Sequence, residues 1–131
     1  EYGTTTGRPR RCGWLDLVRA SNAVKVNSIS AWCVNHVDTI GKIGMEFGTI
    51  QVCIAYSYNG MPIKYIPIDS EKCHPILKEF NGGWNTTGCK TYEDLPQNAK
   101  DYIEFIERYT GVPVKYIGVG PADTDVIIKE V

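Results

Sequence analysis

Asn59-Gly60, between the stretches Thr49–Tyr58 and Met61–Ile66, restricts the fold of this chain more than any other pair of residues. A type I′ turn needs positive φ at both central positions, and Asn followed by Gly meets that need at little cost. Thr49–Tyr58 is rich in β-formers and alternates, with Ile50, Val52 and Ile54 against Gln51, Cys53 and Ala55. A period of two is the mark of a strand with one buried face. Met61–Ile66 then supplies the return strand, so a β-hairpin is predicted.

Other segments are placed around that hairpin. Trp14, Leu15, Leu17, Val18 and Val24 have roughly helical spacing, which predicts a helix from Trp14 to about Asn27. Ile29–Val34 is short, apolar and β-prone, and reads as a buried strand ending at Asn35-His36-Val37-Asp38. A loop or a short turn of helix follows, with Gly41 and Gly44. Residues 67–92 are irregular, with a short helix expected at Glu71–Phe80. Leu95-Pro96 opens a helix through Thr110, because Pro suits the first helical position. Ala99, Tyr102, Ile103, Ile106 and Tyr109 form its apolar face, and Gly111 ends it. Val112–Ile117 is a further strand, and Asp125–Val131 an edge strand. This order of elements predicts a mixed α/β fold: a mixed sheet with flanking helices and a β-hairpin.

At 131 residues the chain is one domain or a piece of one. It opens on Glu1, almost at the lip of its most polar stretch, which favours a piece of a longer protein. Lys and Arg number 14 against 15 Asp and Glu, so no global field points to nucleic acid or membrane. No apolar run is long enough to span a bilayer, and no secretory signal is visible. The five cysteines are widely spaced and no pair has C-x-x-C spacing, which argues against zinc and against a redox dithiol. Reduced, mostly buried cytosolic thiols are expected. Asn85-Thr86-Thr87 matches a glycosylation acceptor, which is read as coincidence.

Three segments carry chemistry. The first runs from Thr4 to Asp16, Thr-Thr-Thr-Gly-Arg-Pro-Arg-Arg-Cys-Gly-Trp-Leu-Asp. Threonine hydroxyls, free backbone N–H groups and planar Arg forks are the groups that hold a carboxylate or phosphate. The same residues would also serve as a solvated basic loop before a helix, with Asp16 complementing the helix N-terminus. The second is Asn35–Asp38 at a strand end, where ligands of α/β sheets gather. A carboxylate there can accept both the N1–H and the 2-amino group of guanine, and residue 36 could stack on the base; alternatively Asp38 merely caps the following turn. The third is Gly118-Val119-Gly120-Pro121, where glycines permit a close ligand or simply make a turn. No G-x-x-x-x-G-K-[ST] phosphate loop exists, and neither His36 nor His74 is arranged as a base beside a nucleophile.

Taken together, the opening segment resembles the aspartate-loop signature of the adenylosuccinate synthetase family. Val26-Asn27-Ser28, Val52-Cys53-Ile54-Ala55-Tyr56, Leu95-Pro96, Tyr102-Ile103 and Ile106–Val114 resemble further blocks of that family in the same order. The resemblance covers essentially the whole chain but only the C-terminal third or so of the family's enzyme. It implies a ligase that joins IMP and L-aspartate with GTP and magnesium, through a 6-phosphoryl-IMP intermediate, on the route to AMP.

By the same resemblance, Thr4, Thr5, Thr6, Gly7, Arg8, Pro9 and Arg10 would form the L-aspartate loop, with Arg8 also reaching IMP and Arg10 also touching GTP. The family's T-K-x-D element falls on Asn35–Asp38, so His36, Val37 and Asp38 would sit at the guanine. Its S-T-G-P segment falls on Gly118–Pro121, giving Gly118, Val119 and Gly120 as further GTP contacts. His36 in place of lysine and Gly118-Val119 in place of Ser-Thr are departures, whereas Asp38 is kept. The phosphate loop, catalytic residues and magnesium ligands would lie outside this chain, so the segment by itself is expected to be inactive. A cytoplasmic homodimer is implied for the whole enzyme. The alternatives are a stand-alone module for a guanine nucleotide or an acidic metabolite, and a basic-loop protein that touches RNA through Arg8, Arg10 and Arg11.

Overall fold

The computed structural model describes residues 1–130 and places three α-helices and seven strands. In chain order these are β1 (Leu15–Asp16), α1 (Leu17–Asn27), β2 (Trp32–Val34), α2 (Val37–Phe47), β3 (Thr49–Tyr58), β4 (Met61–Ile63), β5 (His74–Asn81), α3 (Gln97–Thr110), β6 (Val114–Gly118) and β7 (Val126–Ile128). Short 3₁₀ turns lie at Ser70–Lys72 and Tyr92–Asp94. The strands form two mixed sheets. In one, β3 pairs with β1 in parallel and with β4 and β5 in antiparallel. In the other, β6 lies between parallel β2 and antiparallel β7. The mixed α/β class is therefore as the sequence predicts.

The hairpin forms at the predicted turn, with φ of 52° at Asn59 and 77° at Gly60. Its return strand is shorter than expected and stops at Ile63. β3 has the predicted bounds, but its faces do not alternate throughout. Ile50 and Val52 are buried, and then Cys53, Ala55 and Tyr56 are, because a bulge between Cys53 and Ala55 slips the register against β5. The Ile54 carbonyl at that bulge accepts the Tyr109 hydroxyl instead. This meets the requirement that a buried main-chain group be paired.

Several expectations are corrected. The first helix starts at Leu17, not Trp14. Asp16 is its N-cap, accepting N–H bonds from Val18 at 3.0 Å and Arg19 at 3.1 Å, and Trp14 stays exposed. The second strand covers only Trp32–Val34 and is half-buried, with Cys33 exposed. The loop or short turn of helix expected around Gly41 and Gly44 is a full helix, α2. Its two glycines let Trp84 and Gly83 pack directly on the helix backbone, where any Cβ would collide. The helix expected at Glu71–Phe80 is strand β5. Pro96 stands just before α3, one residue outside its predicted place. β6 begins at Val114 and β7 at Val126, and residue 131 of the predicted edge strand lies outside the described residues. All five cysteines are free, but only Cys53 is buried, while Cys12 and Cys33 are exposed.

The main core joins both sheets and the helices through Leu17, Ile50, Val52, Ile103, Val114 and Ile117. Four buried positions predicted for α3, Ala99, Tyr102, Ile103 and Ile106, face it, with Tyr109 half-buried beside them. Among the described residues no helix is long and apolar enough to cross a membrane.

Candidate functional site

β2 and β6 are neighbours and run in parallel, so their carboxyl ends fall on the same edge of the sheet. That edge is where loops of an α/β sheet can build a cleft. Asn35–Asp38 leaves the end of β2 and Gly118–Pro121 leaves the end of β6. Gly118 lies hard against Asn35: a Cβ on it would stand 3.2 Å from the Asn35 side-chain oxygen and 3.3 Å from its Cα. A glycine here is what allows the two strand ends to approach.

Between these ends opens a cavity of about 380 Å³, lined by Asp38 and Lys42 from α2, by Val119, Gly120 and Asp125, and by residues 84–90. Asp38 and Lys42 are one helical turn apart and therefore share a face of α2. Trp84 forms the floor, 3% exposed, with its indole N–H donating to the Val37 carbonyl at 2.8 Å. The Thr86 hydroxyl, also buried, donates to the Val119 carbonyl at 2.9 Å. Two carboxylates and two ammonium groups, Lys42 and Lys90, therefore stand around one polar cleft. Cys89 completes its lining. Burial and the Asp94 carboxylate raise its thiol above the ordinary value of 9.0, so it is protonated at neutral pH and is not a ready nucleophile. These groups bind and orient.

The predicted residues divide. Asp38, Val119 and Gly120 converge on the cleft. Val37 is fully buried in the core, and Gly118 sits behind the wall. His36 has left-handed φ of 61° and lines a different groove, of about 810 Å³, beside Trp14, Ile40, Ile43 and Phe47. Lys42, Thr86, Lys90 and Asp125 were not singled out from the sequence. Thr86 lay in an apparent glycosylation acceptor, and nothing in the local pattern of the others pointed to a shared cleft.

The opening loop is a small hairpin of its own. Gly3 N–H donates to the Arg8 carbonyl at 2.8 Å, Gly7 N–H to the Gly3 carbonyl at 2.9 Å, and Arg10 N–H to the Glu1 carbonyl at 2.8 Å. Gly7 takes φ of 67° at the turn, a conformation open to glycine. Gly3, Thr4, Thr5, Thr6, Arg8 and Arg10 line a pocket of about 190 Å³ there, and Gly7 and Pro9 shape its backbone. Arg10 is paired with Glu1 at 3.1 Å, an exposed contact. Among the described residues Arg8 has no carboxylate partner. Three hydroxyl-bearing residues and an unpaired guanidinium around one small pocket suit an anion.

Comparison with known proteins finds relatives over nearly the whole chain. The family model described as Adenylosuccinate synthetase matches residues 1–127. Adenylosuccinate synthetase of Acetivibrio thermocellus is 46% identical over 98% of this chain and 30% of its own length. That of Schizosaccharomyces japonicus is 44% identical over 98% of this chain and 30% of its own length. A solved structure, fully ligated adenylosuccinate synthetase from Plasmodium falciparum, superposes with a TM-score of 0.89 at 34% identity, covering 99% of this chain and 32% of that one. The chain thus spans about 30% of the length of the curated relatives it matches. On the strength of the family match and the shared fold, this chain belongs to the adenylosuccinate synthetase family.

Proposed function

We propose that the chain is the C-terminal region of a GTP-dependent ligase that joins IMP and L-aspartate to give adenylosuccinate, GDP and phosphate in AMP biosynthesis. Within it, Thr4–Arg10 receives the carboxylates of L-aspartate, with Arg8 also reaching IMP and Arg10 also reaching GTP. Asp38, Val119 and Gly120 recognise the guanine of GTP. His36, Val37 and Gly118 support that site from outside the cleft. Magnesium belongs to the part of the parent beyond this chain. The parent acts as a cytoplasmic homodimer.

The observation that carries this reading is the convergence of Asp38 with Val119 and Gly120, far apart in sequence, on one cleft. A carboxylate and nearby main-chain groups match the donor–donor–acceptor edge of guanine, which adenine lacks. The reading is tested with Asp38→Asn in the full-length enzyme, by comparing kcat/KM for GTP and for ITP, which lacks the 2-amino group. The preference for GTP should fall by about tenfold or more, as expected for a hydrogen bond to a charged group. An unchanged GTP-over-ITP ratio would remove Asp38 from guanine recognition.

A further inference from the structure

Main-chain groups along the Val119–Pro121 wall are not equally free to meet a ligand. The Val119 N–H donates to the Asp125 carbonyl at 2.8 Å, and the Val119 carbonyl accepts the Thr86 hydroxyl at 2.9 Å. Pro121 has no N–H. Among the described residues, the Gly120 N–H is therefore the one main-chain donor of this wall outside those bonds. Asp125 also closes the loop that follows. Its carboxylate accepts the Ala122 N–H at 3.0 Å, and its own N–H donates to the Ala122 carbonyl at 2.9 Å. A side chain on Gly120 would run into that carboxylate, so the wall and Asp125 are fitted to each other. Thr86 bonds the same residue, Val119, through its side chain. It is 5% exposed, and its hydroxyl is bonded to the wall.

We infer that Asp125 and Thr86 are positioning residues: the Asp125 carboxylate closes the loop on Ala122 and so holds its own main-chain carbonyl against the Val119 N–H, the Thr86 hydroxyl bonds the Val119 carbonyl, and together they hold the Gly120 N–H in the cleft, where it meets the ring carbonyl of the base. The inference rests on the guanine reading of this cleft. Asp38 would take the N1–H and the 2-amino group, and the next group on that edge of guanine is an acceptor, which requires a donor from the protein. A donor fixed in advance costs less ordering on binding than one that must be recruited.

The test uses the full-length synthetase that contains this chain, with kcat and KM measured for GTP and ITP, and KM for aspartate. GTP and ITP share the ring carbonyl and differ in the 2-amino group. Asp125→Ala and Thr86→Val should raise KM for both nucleotides about tenfold, the effect of one displaced hydrogen bond, and leave their ratio, kcat and the aspartate KM nearly unchanged. Asp125→Asn and Thr86→Ser keep an acceptor and a hydroxyl, and should restore GTP KM to near its original value. These rescuing variants also keep the test open if a disrupting one folds poorly. The inference is overturned if nucleotide KM does not move in Asp125→Ala and Thr86→Val. It is also overturned if the rescuing variants are as impaired as the disrupting ones, or if aspartate KM rises in step. The guanine reading fails separately, by an unchanged GTP-over-ITP ratio in Asp38→Asn, which leaves the shift in nucleotide KM free to judge the clamp.

Discussion

Gly41 and Trp84 illustrate how much a single missing methyl group can organise. The Trp84 N–H donates to the Gly41 carbonyl at 3.2 Å, and its ring lies where a Cβ on residue 41 would be. Gly44 is in the same position towards Gly82 and Gly83. Alanine in a helix is favoured over glycine by about 1 kcal/mol. Overpacking a close contact costs about 1–3 kcal/mol and outweighs that gain when the neighbour cannot move. Here the obstructing atoms include the Trp84 carbonyl as well as the buried ring, so they cannot swing aside. Gly41→Ala should therefore destabilise the chain by up to about 2 kcal/mol net. It should also disturb the cleft, because Trp84 is its floor. Urea unfolding measures the first effect, and a midpoint equal to or above that of the unsubstituted chain would refute the packing argument. In the sequence these same glycines read as a loop or at most a short turn of helix, because helix propensity counts the glycine and cannot count the tryptophan that needs it.

At the scale of elements, legibility followed how local each cause is. The Asn59-Gly60 turn and the face of α3 depend on neighbours in sequence, and both were readable. β5 was not. Ile76 and Phe80 are four apart and half-buried, a spacing that a helix fits as well as a strand. The choice is made by distant partners: antiparallel pairing from Thr49 to Ser57 of β3, and edge-on packing of Phe80 against Tyr102 and Phe105 of α3. The cleft divided in the same way. Asp38 and Gly120 were readable from short motifs, while Thr86 and Asp125 matter through bonds to a wall that only the fold creates. The turn at Tyr92–Asp94 shows a local device in this otherwise irregular region. Asp94 accepts N–H bonds from Lys90 and Thr91, each at 3.0 Å, and with Thr91 forms a capping box. Those bonds, the Lys90 one first, hold its carboxyl below the ordinary value of 3.8. The unfolded chain therefore binds the proton more readily, so the stabilisation is present above 3.8 and is lost as pH falls through and below it. Asp94→Asn should accordingly melt below the unsubstituted chain at neutral pH, with a gap that narrows when the pH is lowered below 3.8. Thermal denaturation at the two pH values decides it, and a gap that stays constant would contradict the carboxylate's role. Lys90, which donates to Asp94, also lines the cleft, so this turn bears on the site as well as on stability.

Across the whole molecule, the two polar pockets are separate and unequal. The cleft beside Asp38 has a buried floor and a bonded wall, whereas every residue of the Thr4–Arg10 pocket except the half-buried Gly3 is exposed. Pairing of exposed charges is worth about 0–1 kcal/mol because water and salt screen it, too little to hold a free amino acid tightly. Large apolar side chains also face solvent: Phe47 is 72% exposed at the groove it shares with Trp14, Ile40 and Ile43, and Ile68 is fully exposed. A surface of that kind is usually covered by other protein. Relatives about three times as long have the chain length to cover it, and closing the Thr4–Arg10 pocket in the same way would strengthen any contact made to Arg8 by excluding water. The pockets therefore suit one half of a bimolecular site whose reacting groups come from elsewhere. Supplied with IMP, L-aspartate, GTP and magnesium, the isolated 131-residue chain should form no adenylosuccinate above a protein-free blank, while the full-length enzyme turns over. Chromatographic detection of product distinguishes the two cases. Turnover by the isolated chain would mean that a complete reaction site is present within these residues, and the assignment of the phosphate loop and catalytic groups to the remainder of the parent would fall.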